Sequence, residues 1–262
     1  RPQDEAEAWS SIATLHKGNA DQPLFCIHSG AAHVFFYRGL ATHLGEDATV
    51  YALQPKGLDG KEQRHDSIEE MAAFYVSEIK KVQAEGPYTL LGTCFSNAVG
   101  LEMAHQLQQA GDEIGQLIFV DSAPAHLLSL RKKEGKRTLY RLGEMLRKGD
   151  WQGITKKLRN RSIVASRKIA TPFKNEQAQA LQYTINNLND LYARYDWRPF
   201  DGEITFIRSS EFAARSDKDF HLEQWTALAK GGLQVYEVPG HHLTLFEEPE
   251  VEGLAAVLGK VL

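Results

Sequence analysis

A chain of 262 residues with 42% hydrophobic content suits a single α/β domain with an insertion, and no independent second fold is expected. No apolar run approaches the roughly 18 residues that a membrane span needs, and no signal peptide opens the chain. Two cysteines, Cys26 and Cys94, make no disulfide framework, so a soluble protein of a reducing, cytoplasmic compartment is expected. The net charge of -4 hides an asymmetry, because between Arg131 and Lys168 fourteen Lys or Arg stand against Glu134, Glu144 and Asp150. That segment reads as an electrostatic surface or as a solvated helical face; nucleic-acid binding is not expected, since no aromatic residues interleave the charge.

In chain order, residues 1–20 read as the remnant of a linker within a longer polypeptide, since Arg1 to Ser11 is polar and acidic ahead of any strand signal. Pro23 to His28 is a short apolar strand, Ser29-Gly30-Ala31-Ala32 a small-residue loop, and Val34, Phe35, Tyr37 and Leu40 mark a following helix. His28 and His33 border that loop without an evident acid partner and read as structural or pocket-lining. Thr49 to Leu53 is the next strand, broken by Gln54-Pro55-Lys56-Gly57, and Ser67-Ile68-Glu69-Glu70 is a capping-box start for a helix from Met71 to Gln83.

Tyr88-Thr89-Leu90-Leu91 then runs through Gly92-Thr93-Cys94-Phe95-Ser96 into a helical pattern carried by Val99, Leu101, Met103, Ala104 and Leu107. A strand that turns directly into a helix around a small–x–nucleophile–x–small centre is a nucleophile elbow, with Cys94 as its reactive residue. A thiol beside an imidazole and a helix N-terminus gives up its proton readily, so Cys94 is expected to be an activated nucleophile rather than a buried spacer. Gly111 stops the helix, and Gln116 to Val120 is a strand closing on Asp121. An acid just past the C-terminal end of a parallel strand lies on the face where such sheets keep their sites, so Asp121 is the candidate to orient a catalytic imidazole.

Ala125 to about Arg198 interrupts the alternation with helical patterns, including Tyr140 to Leu146 and Glu176 to Tyr195, and reads as a lid over the active edge that would shape the pocket. Glu203 to Arg208 resumes the sheet and ends near Glu211, a rival for the role of Asp121; Phe220 to Leu228 is a helix and Gln234 to Val238 the last strand. Pro239 to Phe246 is the loop expected to hold the base, in which either His241 or His242 could serve. The order nucleophile, acid, histidine and the alternation of strands and helices fit an α/β-hydrolase fold: a mostly parallel sheet flanked by helices, spanning residues 21–262 with the lid at 125–198. In that fold the loop after the first apolar strand and the residue after the nucleophile donate the oxyanion-binding N–H groups, which points to Gly30 and Phe95.

The chain resembles the terminal thioesterase domains of nonribosomal peptide synthetases and polyketide synthases over nearly its whole length. The segments that carry the resemblance are L-F-C-I-H-S-G-A-A, the elbow, I-F-V-D-S, the helical lid and V-P-G-H-H-L-T-L-F-E-E-P. The family keeps its acid at the end of the strand after the elbow helix and its histidine second after glycine, which implies Asp121 over Glu211 and His242 over His241. Its first oxyanion position falls on Gly30. Two positions depart from the family's pattern: Cys94 stands where serine is usual, and Ser96 where glycine is.

The resemblance implies a chain-releasing thioesterase, monomeric as an excised domain, with no cofactor or metal of its own. It would accept an acyl chain from the phosphopantetheine thioester of an upstream carrier domain in the same polypeptide and release it by cyclisation, strained lactones and lactams included, or by hydrolysis. The basic lid segment would contact the carrier domain or the pantetheine phosphate. A stand-alone editing thioesterase, a cysteine-dependent dienelactone-type hydrolase and a non-catalytic carrier-docking module are the alternatives; the long insertion argues against the dienelactone type.

Overall fold

Strands that read as unbroken apolar runs belong where both faces are covered, and they form the buried centre of one sheet. The computed structural model describes residues 10–58, 63–122, 124, 176–215 and 218–262. The strands are β1 (Ile12–His16), β2 (Leu24–Ile27), β3 (Val50–Leu53), β4 (Tyr88–Thr93), β5 (Ile114–Val120), β6 (Glu203–Ser209) and β7 (Gly232–Val238), in the order β1-β3-β2-β4-β5-β6-β7. Every neighbouring pair is parallel except β1 and β3. All residues of β2 and β4 are buried.

The period of two along each strand divides the core into two layers. Phe25, Ile27, Leu90, Phe119 and Phe206 face the layer covered by α2 (Ile68–Ile79), α3 (Ser96–Gln109), α4 (Glu176–Arg194) and α6 (Lys218–Leu228). Leu24, Cys26, Leu91, Ile118 and Ile207 face the opposite layer, covered by α1 (Tyr37–His43) and α7 (Glu250–Val261). A short helix, α5 (Ser210–Ala213), follows β6 directly. Burial raises the Cys26 thiol far above its ordinary range, so this cysteine is inert packing.

The α2 start follows the capping logic: Ser67 Oγ accepts from the Glu70 N–H, while Glu70 Oε2 accepts from the Asp66 N–H rather than from the cap residue itself. The α3 end is a Schellman turn, with Gly111 at φ 86° and the Asp112 N–H returning to Leu107 O at 2.9 Å. Expected and observed elements differ at several places. Residues 12–16, expected within a linker, form β1 and cover the edge of β3, with Ile12 packed against one core layer and Leu15 against the other. The α1 helix begins at Tyr37; Val34 and Phe35 precede it in a turn that bonds Tyr37 N to Val34 O and Arg38 N to Phe35 O. The second helix ends at Ile79, and Gln83 instead bonds the carbonyls of Glu85 and Pro87 through its side chain. The α7 helix has no counterpart among the expected elements.

Of the expected lid, the segment Tyr140 to Leu146 and the basic run Arg131 to Lys168 lie outside the described residues. The expected helix from Glu176 to Tyr195 is α4, and its Leu188 and Leu191 are buried against the core. Polar ties fix it at both ends. Arg64 Nε donates to Thr184 Oγ1 at 3.0 Å and Asn187 Nδ2 to His65 O at 3.0 Å. Beyond the helix, Tyr195 Oη and Arg198 donate to Glu102 Oε2 at 3.0 and 2.7 Å, while Gln106 fills the other oxygen.

Glu102 sits on the elbow helix and is 3% exposed, so its truncation strands Tyr195 and Arg198 together. Glu102→Ala is expected to lower stability by about 1–3 kcal/mol, read as a shift in the urea midpoint; an unchanged midpoint would show that this network is ornamental.

Candidate active site

Two backbones meet at the end of β4 with no loop between them. A Cβ on Gly92 would lie 2.9 Å from the Ser96 carbonyl carbon and 2.8 Å from Asn97 Oδ1, so only glycine fits the last inward position before the turn. Cys94 takes φ 56°, a conformation that costs a non-glycine residue on the order of 1–3 kcal/mol. Its neighbours are buried while it is exposed, so the turn lifts one side chain out of the sheet. Ser96, in the place of a glycine, is fully buried and gains a function: its hydroxyl accepts the Thr93 N–H at 2.7 Å and donates to Thr93 O at 2.9 Å, clamping the turn across its base.

Asp121 follows β5 at φ 51°, and its carboxylate is buried. Oδ1 accepts the Ser209 N–H at 2.7 Å, and Oδ2 meets His242 Nδ1 at 3.0 Å. The hydrogen bond from Asp121, and then one with the Cys94 side chain, raise the His242 pKa from the ordinary 6.5 to about 10 against the opposing effect of burial. The imidazole thus meets a carboxylate at Nδ1 and shares its cavity with the Cys94 side chain. Glu211, the rival acid, faces the other histidine, 3.0 Å from His241 Nε2. The two acids and two histidines are thus sorted into separate pairs.

Gly30 lies against the elbow, where a Cβ on it would stand 3.3 Å from Phe95 Cβ. Among the described residues, neither the Gly30 nor the Phe95 N–H donates to a protein acceptor. His28 is buried beneath this loop, stacked on the Phe95 ring at 5.5 Å and bonded to Ser29 O, and burial lowers its pKa to about 4. It is a neutral structural ring, and His33 is an exposed ring set edge-on to Phe36.

A cavity of about 260 Å³ opens above Cys94, Asp121 and His242, walled by Ser122, Tyr192, Glu211, Phe212, Arg215 and His221. Ser122 was not singled out in the sequence, yet it knits the site: Asn97 Nδ2 donates to its hydroxyl, the hydroxyl reaches Cys94 O at 3.4 Å, and its carbonyl accepts from Trp225 Nε1 at 2.8 Å. Tyr192 of α4 brings its ring to 5.9 Å from Phe95, and burial raises its phenol well above the ordinary range. Only the adjacency of Ser122 to Asp121 could have hinted at the first, and nothing in the helical pattern separated Tyr192 from its packing neighbours.

A mostly parallel sheet with thiol, carboxylate and imidazole gathered at the C-terminal ends of its strands, in that chain order, defines an α/β hydrolase. The model of the thioesterase domain family matches residues 22–261, and the chain belongs to that family. It is 28% identical to a dimodular nonribosomal peptide synthase of Bacillus subtilis over 258 residues, covering 96% of this chain and 11% of the relative. With malpibaldin synthetase of Mortierella alpina it shares 30% over 270 residues, 99% of this chain and 4% of the relative. The chain therefore spans only a small part of the length of these relatives. Among solved structures, the NocB thioesterase domain in covalent complex with a fluorophosphonate nocardicin G analog superposes with a TM-score of 0.71 at 24% identity, covering 95% of this chain and 98% of that one. The Vlm2 thioesterase domain does so with a TM-score of 0.66 at 19% identity, covering 95% and 96%.

Because the folded-state pKa of His242 is raised, the bond to Asp121 stabilises the fold fully below pH 6.5 and loses that contribution as pH rises towards about 10. An NMR titration should find the His242 ring still protonated at pH 8, and Asp121→Asn should bring its midpoint down by more than Cys94→Ala does. The stability deficit of Asp121→Asn, from urea unfolding, should be larger at pH 6 than at pH 10. A ring titrating near 6.5 in the wild type would contradict this electrostatic account.

Proposed function

We propose that this domain is a chain-releasing thioesterase with Cys94 as nucleophile, His242 as its proton carrier and Asp121 as the residue that holds the imidazole. The observation that carries the reading is the His242 ring, 3.0 Å from a buried carboxylate and lining the same cavity as the exposed Cys94 side chain. The likeness to a dimodular nonribosomal peptide synthase supports the assembly-line context, in which the acyl chain arrives as a thioester on the phosphopantetheine arm of an upstream carrier domain. No cofactor enters the reaction.

The Cys94 sulfur, its proton already resting on His242, attacks the thioester carbonyl, and the Gly30 and Phe95 N–H groups meet the developing oxyanion. Collapse of the tetrahedral intermediate breaks the bond to the pantetheine sulfur, which leaves with a proton from His242. The same ring then accepts a proton from the resolving nucleophile, and the Cys94 sulfur departs as the second leaving group. Asp121 keeps Nδ1–H pointed at itself, so that Nε2 serves both transfers.

Sulfur at position 94 sets the character of the second half. A serine would exchange a thioester for a more stable oxoester, whereas cysteine exchanges one thioester for another and keeps the acyl group reactive. Release by an amine or hydroxyl of the chain itself, giving a lactam or lactone, is favoured over plain hydrolysis on that ground. The α4 helix, which brings Tyr192 to the cavity, would form part of a lid that keeps water from the intermediate.

With a pantetheine-type thioester of a peptide carrying an internal nucleophile, the wild type should give a cyclic product. Cys94→Ala should lower turnover by at least about a thousandfold. Cys94→Ser should still be acylated but release a larger share of linear acid. Linear acid as the sole product of the wild type would remove the cyclisation reading, and full turnover by Cys94→Ala would remove the nucleophile.

A further inference from the structure

Three consecutive residues at the end of β6 touch both halves of the acid–base pair. The Ser209 N–H donates to Asp121 Oδ1 at 2.7 Å. The Ser210 hydroxyl both donates to Gly240 O and accepts the Gly240 N–H, each at 3.2 Å, and the Glu211 N–H adds a bond to Gly240 O at 3.3 Å. Glu211 then extends one oxygen to the backbone N–H of His242 at 3.4 Å and the other to His241 Nε2 at 3.0 Å. The tautomer of His241 is fixed by its second nitrogen: Nδ1 accepts the Leu243 N–H at 3.2 Å, so Nε2 bears the hydrogen that Glu211 accepts.

We infer that Ser210 and Glu211 are positioning residues for His242, forming with Ser209 a brace that fixes the histidine loop relative to the acid. Resting on the role proposed for His242, this gives Glu211 a function other than that of triad acid. The loop needs such a brace. Gly240 stands at φ 125°, where the chain turns out of β7, and His241 and Leu243 are exposed, while the far end of the loop is anchored by the buried Leu245 and by Phe246, packed on the Phe36 and Tyr37 rings. The bonds of Thr244 N and Leu245 N to His241 O shape the turn, and its near end, Gly240 to His242, is tied to the residues after β6 through Ser210 and Glu211. Glu211 and His241 are about half exposed, at 49% and 51% of their side chains, so their hydrogen bond alone contributes little; the backbone bond to His242 is the part that sets geometry. At 3.4 Å this bond lies at the long end of the range for an N–H donor.

Glu211→Ala, Glu211→Gln and His241→Ala separate these parts. In single-turnover acylation of Cys94 by a saturating acyl thioester, Glu211→Ala should be about tenfold slower with its half-saturating concentration within twofold of wild type. Glu211→Gln, which keeps an acceptor for the His242 N–H, should recover to within about threefold, and His241→Ala should lose less than threefold. Exchange of the His242 amide proton should accelerate in Glu211→Ala and stay slow in Glu211→Gln, a readout that does not need the substrate. Acylation by Glu211→Ala within twofold of wild type, or a Gln variant as slow as the Ala variant, overturns the inference. Should no thioester acylate the wild type, the thioesterase reading fails, and the brace is then judged on amide exchange and on the rate of Cys94 alkylation by iodoacetamide, which should fall in Glu211→Ala alone.

Discussion

The hydrogen bond between Asp121 Oδ2 and His242 Nδ1 joins residues 121 apart in sequence, and the proposed chemistry of the domain depends on it. Neither partner can be placed by local structure. Asp121 is set by β5 and His242 by the loop after β7, and the two meet because β6 lies between with its pairing in step: Val120 opposite Ile207, and Ser209 opposite Val238. A slip of one residue in either pairing would turn every side chain to the other face and carry the two groups apart. The buried aromatic layer of Phe119, Phe206 and Trp225 resists such a slip, with ring centroids 4.9 and 5.8 Å from Trp225.

Backbone strain is concentrated around the same point. Among the described residues, the non-glycine positions with positive φ are Ala32, Cys94 and Asp121: the loop after β2, the thiol and the buried carboxylate. Each is a position where a side chain or an amide must be aimed away from the course of its element, and each is over-determined by neighbours, as such strain requires. Serine hydroxyls supply much of that restraint. Ser96 ties both ends of the elbow, Ser122 reaches the Cys94 carbonyl, and Ser29 accepts the Ala31 N–H in the oxyanion loop. In this light Ser96 replaces the absent side chain of glycine with two hydrogen bonds in a space fully shut from solvent.

What could be read from the sequence follows from how local each signal is. The elbow was legible because strand, tight turn and helix follow one another within a few residues, and α4 because Leu188 and Leu191 recur at helical spacing on its buried face. The linker expectation failed at β1 because an edge strand covered on one side has weak apolar character, and its partner β3 lies far along the chain. The choice between Asp121 and Glu211 was open to residue-level reading for a geometric reason: both follow a parallel strand at the same sheet edge, and both face adjacent histidines. Position after a parallel strand had put Asp121 first with Glu211 as rival, the resemblance added to that choice, and each acid pairs with a different ring. Ser122 and Ser209 were out of reach altogether, since a serine acquires such a role from partners 25 to 88 residues away.

Acid-quenched peptide mapping during turnover addresses the central claim most directly. The domain is mixed with an excess of acyl thioester, stopped in acid within one turnover, digested and examined by mass spectrometry. The account predicts the acyl mass on the peptide bearing Cys94, absent when the thiol is first blocked. Product formed at the full rate with no acyl group ever found on that sulfur would contradict it.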